Sequence, residues 1–189
     1  MVRRHHRTFP HPHNDPPMTD GHAHDTITVR AARCEDLAAA SKLAAALVRQ
    51  HHAYDPLRFM SIEPIEEGYA RFLQTQVDRD GVVLLVAARL RGGNEAVVGY
   101  LLGSLEDRDW SDLRDACGKI HDVYVDDSVR MRGVASHLVA EAVARLAAMG
   151  APRVVLMAAW RNGGARRLFE RLGFRPTMLE MTREAEPPA

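Results

Sequence analysis

The chain has 189 residues, with 25 basic residues balanced by 25 acidic ones and 10 histidines besides. This length suits one domain, and a hydrophobic fraction of 46% supports a packed core, which excludes wholesale disorder. Zero net charge speaks against a protein that binds nucleic acid by neutralising phosphates, and no apolar run approaches the roughly 18 residues that span a bilayer. Cys34 and Cys117 lack metal-ligand spacing and set up no disulfide framework, which fits a reducing cytoplasm. The basic start, Met1 to His6, is followed by no apolar stretch, so no secretory signal is expected.

Residues 1–25 hold six of the ten histidines and four of the ten prolines, with almost no aliphatic side chains. Such a stretch cannot bury enough surface to offset its ordering entropy, and it reads as a disordered His/Pro-rich tail. His11-Pro12-His13 and His22-Ala23-His24 have the composition of a weak metal chelator, but no metal site is assigned to them. The folded domain is expected over residues 26–183, with a flexible C-terminus at 184–189.

Thr26 to Arg30 alternates as a strand. Cys34-Glu35-Asp36 places acids at the start of a helix that carries Leu37, Ala40, Ala44, Leu47 and Val48 on one face. His51 to Met60, with Tyr54-Asp55-Pro56, reads as a loop, and Pro64 opens a second helix that runs to about Gln76. Val82 to Ala88 and Ala96 to Leu105 form a hairpin across Arg91-Gly92-Gly93-Asn94. A polar segment from Glu106 to Gly118 precedes a strand from Ile120 to Val125. Val134 to Met149 is an amphipathic helix with Glu141 and Arg145 outward at i,i+4. Arg153 to Ala159 reads as a strand covered on both faces, Gly163 to Leu172 as a helix, and Phe174 to Thr182 as a last strand.

Chemistry concentrates where the strand ending at Val125 meets the helix beginning at Val134. Helix N-terminal amides point outward with the positive end of the macrodipole, and Gly133 permits close backbone approach between Arg130 and Arg132. That combination suits an anion such as a pyrophosphate. No Gly-Lys-Ser/Thr follows, so it is not a Walker motif, and the G-x-G-x-x-G dinucleotide fingerprint is absent.

Arg130-Met131-Arg132-Gly133-Val134-Ala135 resembles the Q/R-x-x-G-x-G/A signature of the GNAT superfamily of N-acetyltransferases. Asn162-Gly163-Gly164-Ala165 and Leu168 to Phe174 resemble that family's later N-x-x-A and L-[YF]-x-x-L-G-F block. The resemblance spans about residues 26–183 and implies a single α/β domain, a mixed central sheet with helices on both faces. It implies acetyl-CoA as donor, with Met131, Arg132, Gly133, Val134, Ala135 and Ser136 around its pyrophosphate and Arg130 beside them. Val123, Tyr124 and Val125 would pair with the pantetheine arm, where a strand amide polarises the thioester carbonyl. Asn162 would hydrogen-bond the pantetheine or cap a helix, and Arg166 lies near enough in sequence to help on the phosphates.

Transfer to an amine needs that amine neutral, and a primary amine near pKa 10.4 is only about 0.04% neutral at pH 7. Many members of the family place a glutamate on the fourth strand, nine residues before the Q/R of the turn; here His121 stands there. Asp122 and Glu106 are the competing bases, although neighbours on a strand face opposite ways, so His121 and Asp122 share a cleft only through a bulge. Phe169 replaces a tyrosine that often protonates the departing thiolate. Glu106 to Asp115, rich in acids and carrying Trp110, would form a lip attractive to a cationic amine such as a polyamine, aminoglycoside or lysine side chain.

The expected activity is acetyl transfer from acetyl-CoA to a small-molecule or peptide amine, by direct attack in a ternary complex. The alternative is a non-catalytic acyl-CoA-binding regulatory module, favoured by Phe169 and by a histidine at the glutamate position. A nucleic-acid-binding module would need Arg130, Arg132, Arg166, Arg167 and Arg171 for a basic stripe, and the phosphates of CoA use them better. No nucleic acid or membrane partner is expected; a homodimer is the candidate assembly, since homodimers are common in the family.

Overall fold

The computed structural model describes residues 25–185; the expectations for the His/Pro-rich stretch before Asp25 and for the last residues of the chain lie outside that range. β1 (Thr26–Ala31) is followed by a 3-10 turn and α1 (Leu37–Tyr54), then α2 (Ile65–Gln76), β2 (Val82–Arg91), β3 (Asn94–Glu106) and β4 (Cys117–Val125). A second 3-10 turn leads into α3 (Val134–Ala148), β5 (Val154–Leu156) and α4 (Gly163–Arg171). The sheet has strand order β1-β2-β3-β4-β5, antiparallel except for the parallel pair β4–β5.

Helices cover both faces, because the central strands are apolar on both sides. In β2, Val83, Leu85 and Ala87 pack toward α3 and α4, while Leu84 and Val86 pack toward α1. That is why Val82 to Ala88 is an unbroken apolar run in an otherwise antiparallel sheet. The β2–β3 hairpin turns through Gly92 and Gly93, at φ 57° and 81°, the left-handed pair that matches the twist of the flanking strands.

α3 comes down closely onto the sheet over three glycines. A Cβ at Gly118 would stand 3.0 Å from Leu146 Cβ, one at Gly103 would stand 3.5 Å from Leu146 Cδ1, and one at Gly99 would stand 3.3 Å from Leu138 Cδ1. Leu138, Val139, Ala142 and Leu146 are wholly buried there, and Arg145 holds Glu141 at 2.7 Å on the outer side.

Four sequence expectations need correction. Phe174 to Thr182 forms no strand, since Pro176 lacks an amide for a ladder and Met178, Leu179 and Met181 stand exposed. β5 shrinks to three half-buried residues, because only Gly118, Lys119 and Ile120 of β4 pair with it. α1 continues through His51 and His52, which the sequence assigns to a loop; the helix ends at Tyr54, before Pro56. Cys117 is the buried first residue of β4, not part of a loop, and its Sγ lies 2.8 Å from Arg114 Nη1.

Leu146→Ala is expected to cost about 2–5 kcal/mol, because nothing can collapse into the space between α3 and the glycines. Urea unfolding measures it; a loss below about 1 kcal/mol would show that α3 is not seated as described.

Candidate active site

β4 pairs with β3 in register from Val125 back to Asp122, which faces Leu102, and then Gly103 pairs with Ile120. His121 is thus an extra residue, a β-bulge. Ile120 and Val123 both pack in the cluster under α3, so His121 and Asp122 both turn to the α1/α2 face. Ser104 and Glu106, two apart on β3, reach the same face. The three candidate bases therefore line one groove of about 880 Å³, together with Tyr69, Ser104 and Trp110.

Within it Ser104 Oγ donates to Glu106 Oε1 at 2.6 Å and lies 2.7 Å from His121 Nε2, which is itself 3.2 Å from Glu106 Oε1. The Ser104 hydroxyl, followed by the charge of His121, holds the Glu106 carboxyl below the usual range. Asp122 behaves oppositely: burial pushes its carboxyl above the ordinary 3.8, against the opposing effect of the Tyr100 hydroxyl, which donates to Oδ2 at 3.1 Å. Tyr69 also reaches this carboxyl, and burial beside it pushes the phenol of Tyr69 up to about 12.

The lip from Glu106 to Asp115 is less open in charge than its sequence implies. Arg108 pairs with Asp115 at 3.0 Å and lies over the ring of Trp110, and Asp109 accepts the amides of Ser111 and Asp112. Even so, the groove presents five carboxylates, including Asp80 and Asp107, against three arginines.

At the far end of β4 lies a second feature. Asp126 accepts the amide of Ser128 at 2.9 Å and starts a 3-10 turn anchored by the buried Val129. Gly133, at φ 77°, is the N-cap of α3 and has no side chain to accept from the first-turn amides. Nothing stands within 4 Å of where its Cβ would be. Arg130 pairs with Asp127 at 2.5 Å and lies over Tyr124, Arg132 pairs with Asp25 at 2.7 Å, and Met131 is fully exposed. Asn162 Oδ1 caps α4 by accepting from Ala165 N at 3.0 Å. Arg166 lies 4.4 Å over the ring of Trp160, and its buried Nε finds no partner among the described residues.

Between these two features the β5 side of β4 is open, because the ladder ends at Ile120 and leaves Val123, Tyr124 and Val125 unpaired on that side. Open strand edge, uncapped helix amides, flanking arginines and an orphaned guanidinium nitrogen suit an extended ligand ending in a diphosphate. Phe169, by contrast, is buried against Phe174 and has no proton to give.

Alternation from Glu106 back to Ser104 could have found the hydroxyl in the sequence. Tyr69 and Tyr100 carry no such signal, since Tyr69 meets Asp122 only once α2 docks and Tyr100 only once β3 pairs with β4.

The sequence pattern of the acetyltransferase (GNAT) family matches residues 43–174, and the chain belongs to that family. No curated protein matches the sequence. Among solved structures, the tetramutant of the BH1408 protein from Bacillus halodurans has a TM-score of 0.70 at 21% identity, over 84% of this chain and 99% of that one. The aminoglycoside N-acetyltransferase AAC(6')-Iy, solved with CoA, has a TM-score of 0.66 at 16% identity, over 86% and 97%. The aminoglycoside antibiotic 6'-N-acetyltransferase AAC(6')-Ih from Acinetobacter baumannii has a TM-score of 0.61 at 14% identity, over 86% and 100%. At these identities the likeness is one of fold. Among the described residues no helix is long and apolar enough to cross a membrane, and no cluster of His, Cys, Asp or Glu could hold a metal.

The raised Asp122 carboxyl has a consequence for stability. Between 3.8 and its raised value the folded chain keeps a proton that the unfolded chain releases, so stability falls as pH rises through that window. Asp122→Asn is therefore expected to raise the thermal midpoint at pH 7, with the gain vanishing below about pH 3. Calorimetry at the two pH values checks this; a lower midpoint at pH 7 would contradict it.

Proposed function

We propose that the protein transfers an acetyl group from acetyl-CoA to a primary amine, by direct attack of the amine in a ternary complex. The observation that carries this reading is the bulge at His121, which sets the candidate bases beside the open edge of β4. Bound acetyl-CoA would supply the activated acyl thioester. The amides from Met131 to Ser136, with Arg130, Arg132 and Arg166, would hold its pyrophosphate, and Val123 to Val125 and Asn162 its pantetheine.

His121 is the base in this reading. It lies at the groove, and Glu106, held ionised, stands where it can accept from an imidazolium. Asp122 anchors the groove floor between two phenols, and the excess of carboxylates selects a cationic acceptor, with polyamines, aminoglycosides and lysine side chains as candidates. Direct attack is supported by the cysteines: Cys34 is exposed where the chain enters α1, Cys117 is buried at the start of β4 beside Arg114, and neither lines the groove. Both are unbridged, which supports a reducing compartment such as the cytoplasm. Exposed Met178, Leu179 and Met181 support a homodimer. Phe169 leaves the thiolate to depart without an acid, which a thiol near pKa 8.5 tolerates.

A panel of amines with acetyl-CoA, read by thiol release, is expected to show turnover with cationic acceptors. His121→Ala is expected to lower kcat/KM by about 10²- to 10⁴-fold and to flatten its pH profile. Binding of acetyl-CoA with no amine-dependent thiol release would instead mark a non-catalytic acyl-CoA module. Arg132→Ala is expected to raise KM for acetyl-CoA and leave kcat nearly unchanged, and steady-state kinetics separate the two; an unchanged KM would remove Arg132 from the phosphate site.

A further inference from the structure

Two oxygens converge on one nitrogen of His121. Ser104 Oγ is 2.7 Å from Nε2, and Glu106 Oε1 is 3.2 Å from it. An ionised carboxylate only accepts, so the one proton of the Ser104 hydroxyl points at Glu106 Oε1, 2.6 Å away. The lone pairs of Oγ then face Nε2, as do those of Oε1. A bare nitrogen there would meet only lone pairs, so Nε2 must carry a hydrogen. Nδ1, on the other side of the ring, makes no hydrogen bond among the described residues.

We infer that Ser104 and Glu106 form a clamp that fixes neutral His121 as its Nε2–H tautomer and makes Nδ1 the basic atom. The inference rests on the acetyl-transfer reading for its purpose, and on geometry alone for the tautomer. In each turnover the acceptor ammonium loses one N–H bond and Nδ1 gains one, while the Nε2–H bond stays intact and keeps donating to the clamp. The resulting imidazolium then returns the Nδ1 proton to solvent. Ser104 and Glu106 are thus positioning residues, acting on the reaction through the ring.

The tautomer is directly readable. In the full chain labelled with ¹⁵N-histidine, two-bond proton–nitrogen spectra at pH about 9, well above the ordinary histidine range, distinguish protonated from bare ring nitrogens. The His121 signals are assigned by their loss in His121→Ala. The expected result is a protonated Nε2 and a bare Nδ1; a protonated Nδ1 in the parent chain overturns the clamp.

In Glu106→Gln the amide can donate to Nε2, so the tautomers should mix. With that, kcat should fall about 10- to 100-fold, less than for removing the base, with KM for acetyl-CoA unchanged. Ser104→Thr, which keeps the hydroxyl, should retain both tautomer and rate. An unmixed tautomer with unchanged kcat in Glu106→Gln also overturns the clamp. If the tautomer is as expected but His121→Ala turns over normally, the clamp stands and the assignment of His121 as base falls.

Discussion

One inserted residue in β4 decides which face of the sheet its ionisable side chains share. A regular strand would send His121 and Asp122 to opposite faces, one under α3 and the other toward α1 and α2. Because Ile120 and Val123 are both claimed by the core under α3, the two residues between them must share the other face. The β4–β5 ladder ends just before the bulge, so the strand opens where its polar side chains gather. Hydrophobic burial on one face of the sheet thus places ionisable groups on the other.

The zero net charge of the sequence is an average over two unlike regions. Arginines gather at the end of β4, around the uncapped start of α3, while carboxylates outnumber arginines in the groove beside its middle. The ion pairs that occupy the basic end, Arg130 with Asp127 and Arg132 with Asp25, lie at the surface. Such pairs are weak and exchange readily for a stronger anion. In the groove the balance is different, since partial burial holds the carboxyl of Asp122 above its ordinary value, at a cost to stability once it ionises.

Much of the fold was legible because periodicity reports burial. The α3 face, the two-residue turn at Gly92-Gly93 and the start of α2 after Pro64 lie where the sequence places them. The expected last strand failed because alternation in Phe174 to Thr182 says nothing about whether a partner edge exists. α1 outran its expected end because His51 and His52 are accommodated in its last turn, where their ring Nδ1 atoms meet the carbonyls of Leu47 and Phe59. At the site, the turn after β4 and the three candidate bases could be read from motif and spacing. The bulge could not, since it depends on the pairing of β3 with β4, and neither could the phenols that α2 and β3 bring to Asp122.

The glycines beneath α3 make that helix a lever with a fixed fulcrum. Leu146 is seated over Gly103 and Gly118, and Leu138 over Gly99, so two points along the helix axis set both its height and its pitch. From Leu146 to Gly133 is about 20 Å of helix at 1.5 Å per residue. A methyl group added at the far seat would tilt the rod, and the tip carrying the turn from Arg130 to Gly133 would swing while no residue of that turn had changed. The placement of the amides that open α3 is thus written, at a distance, into side chains that three glycines do not have.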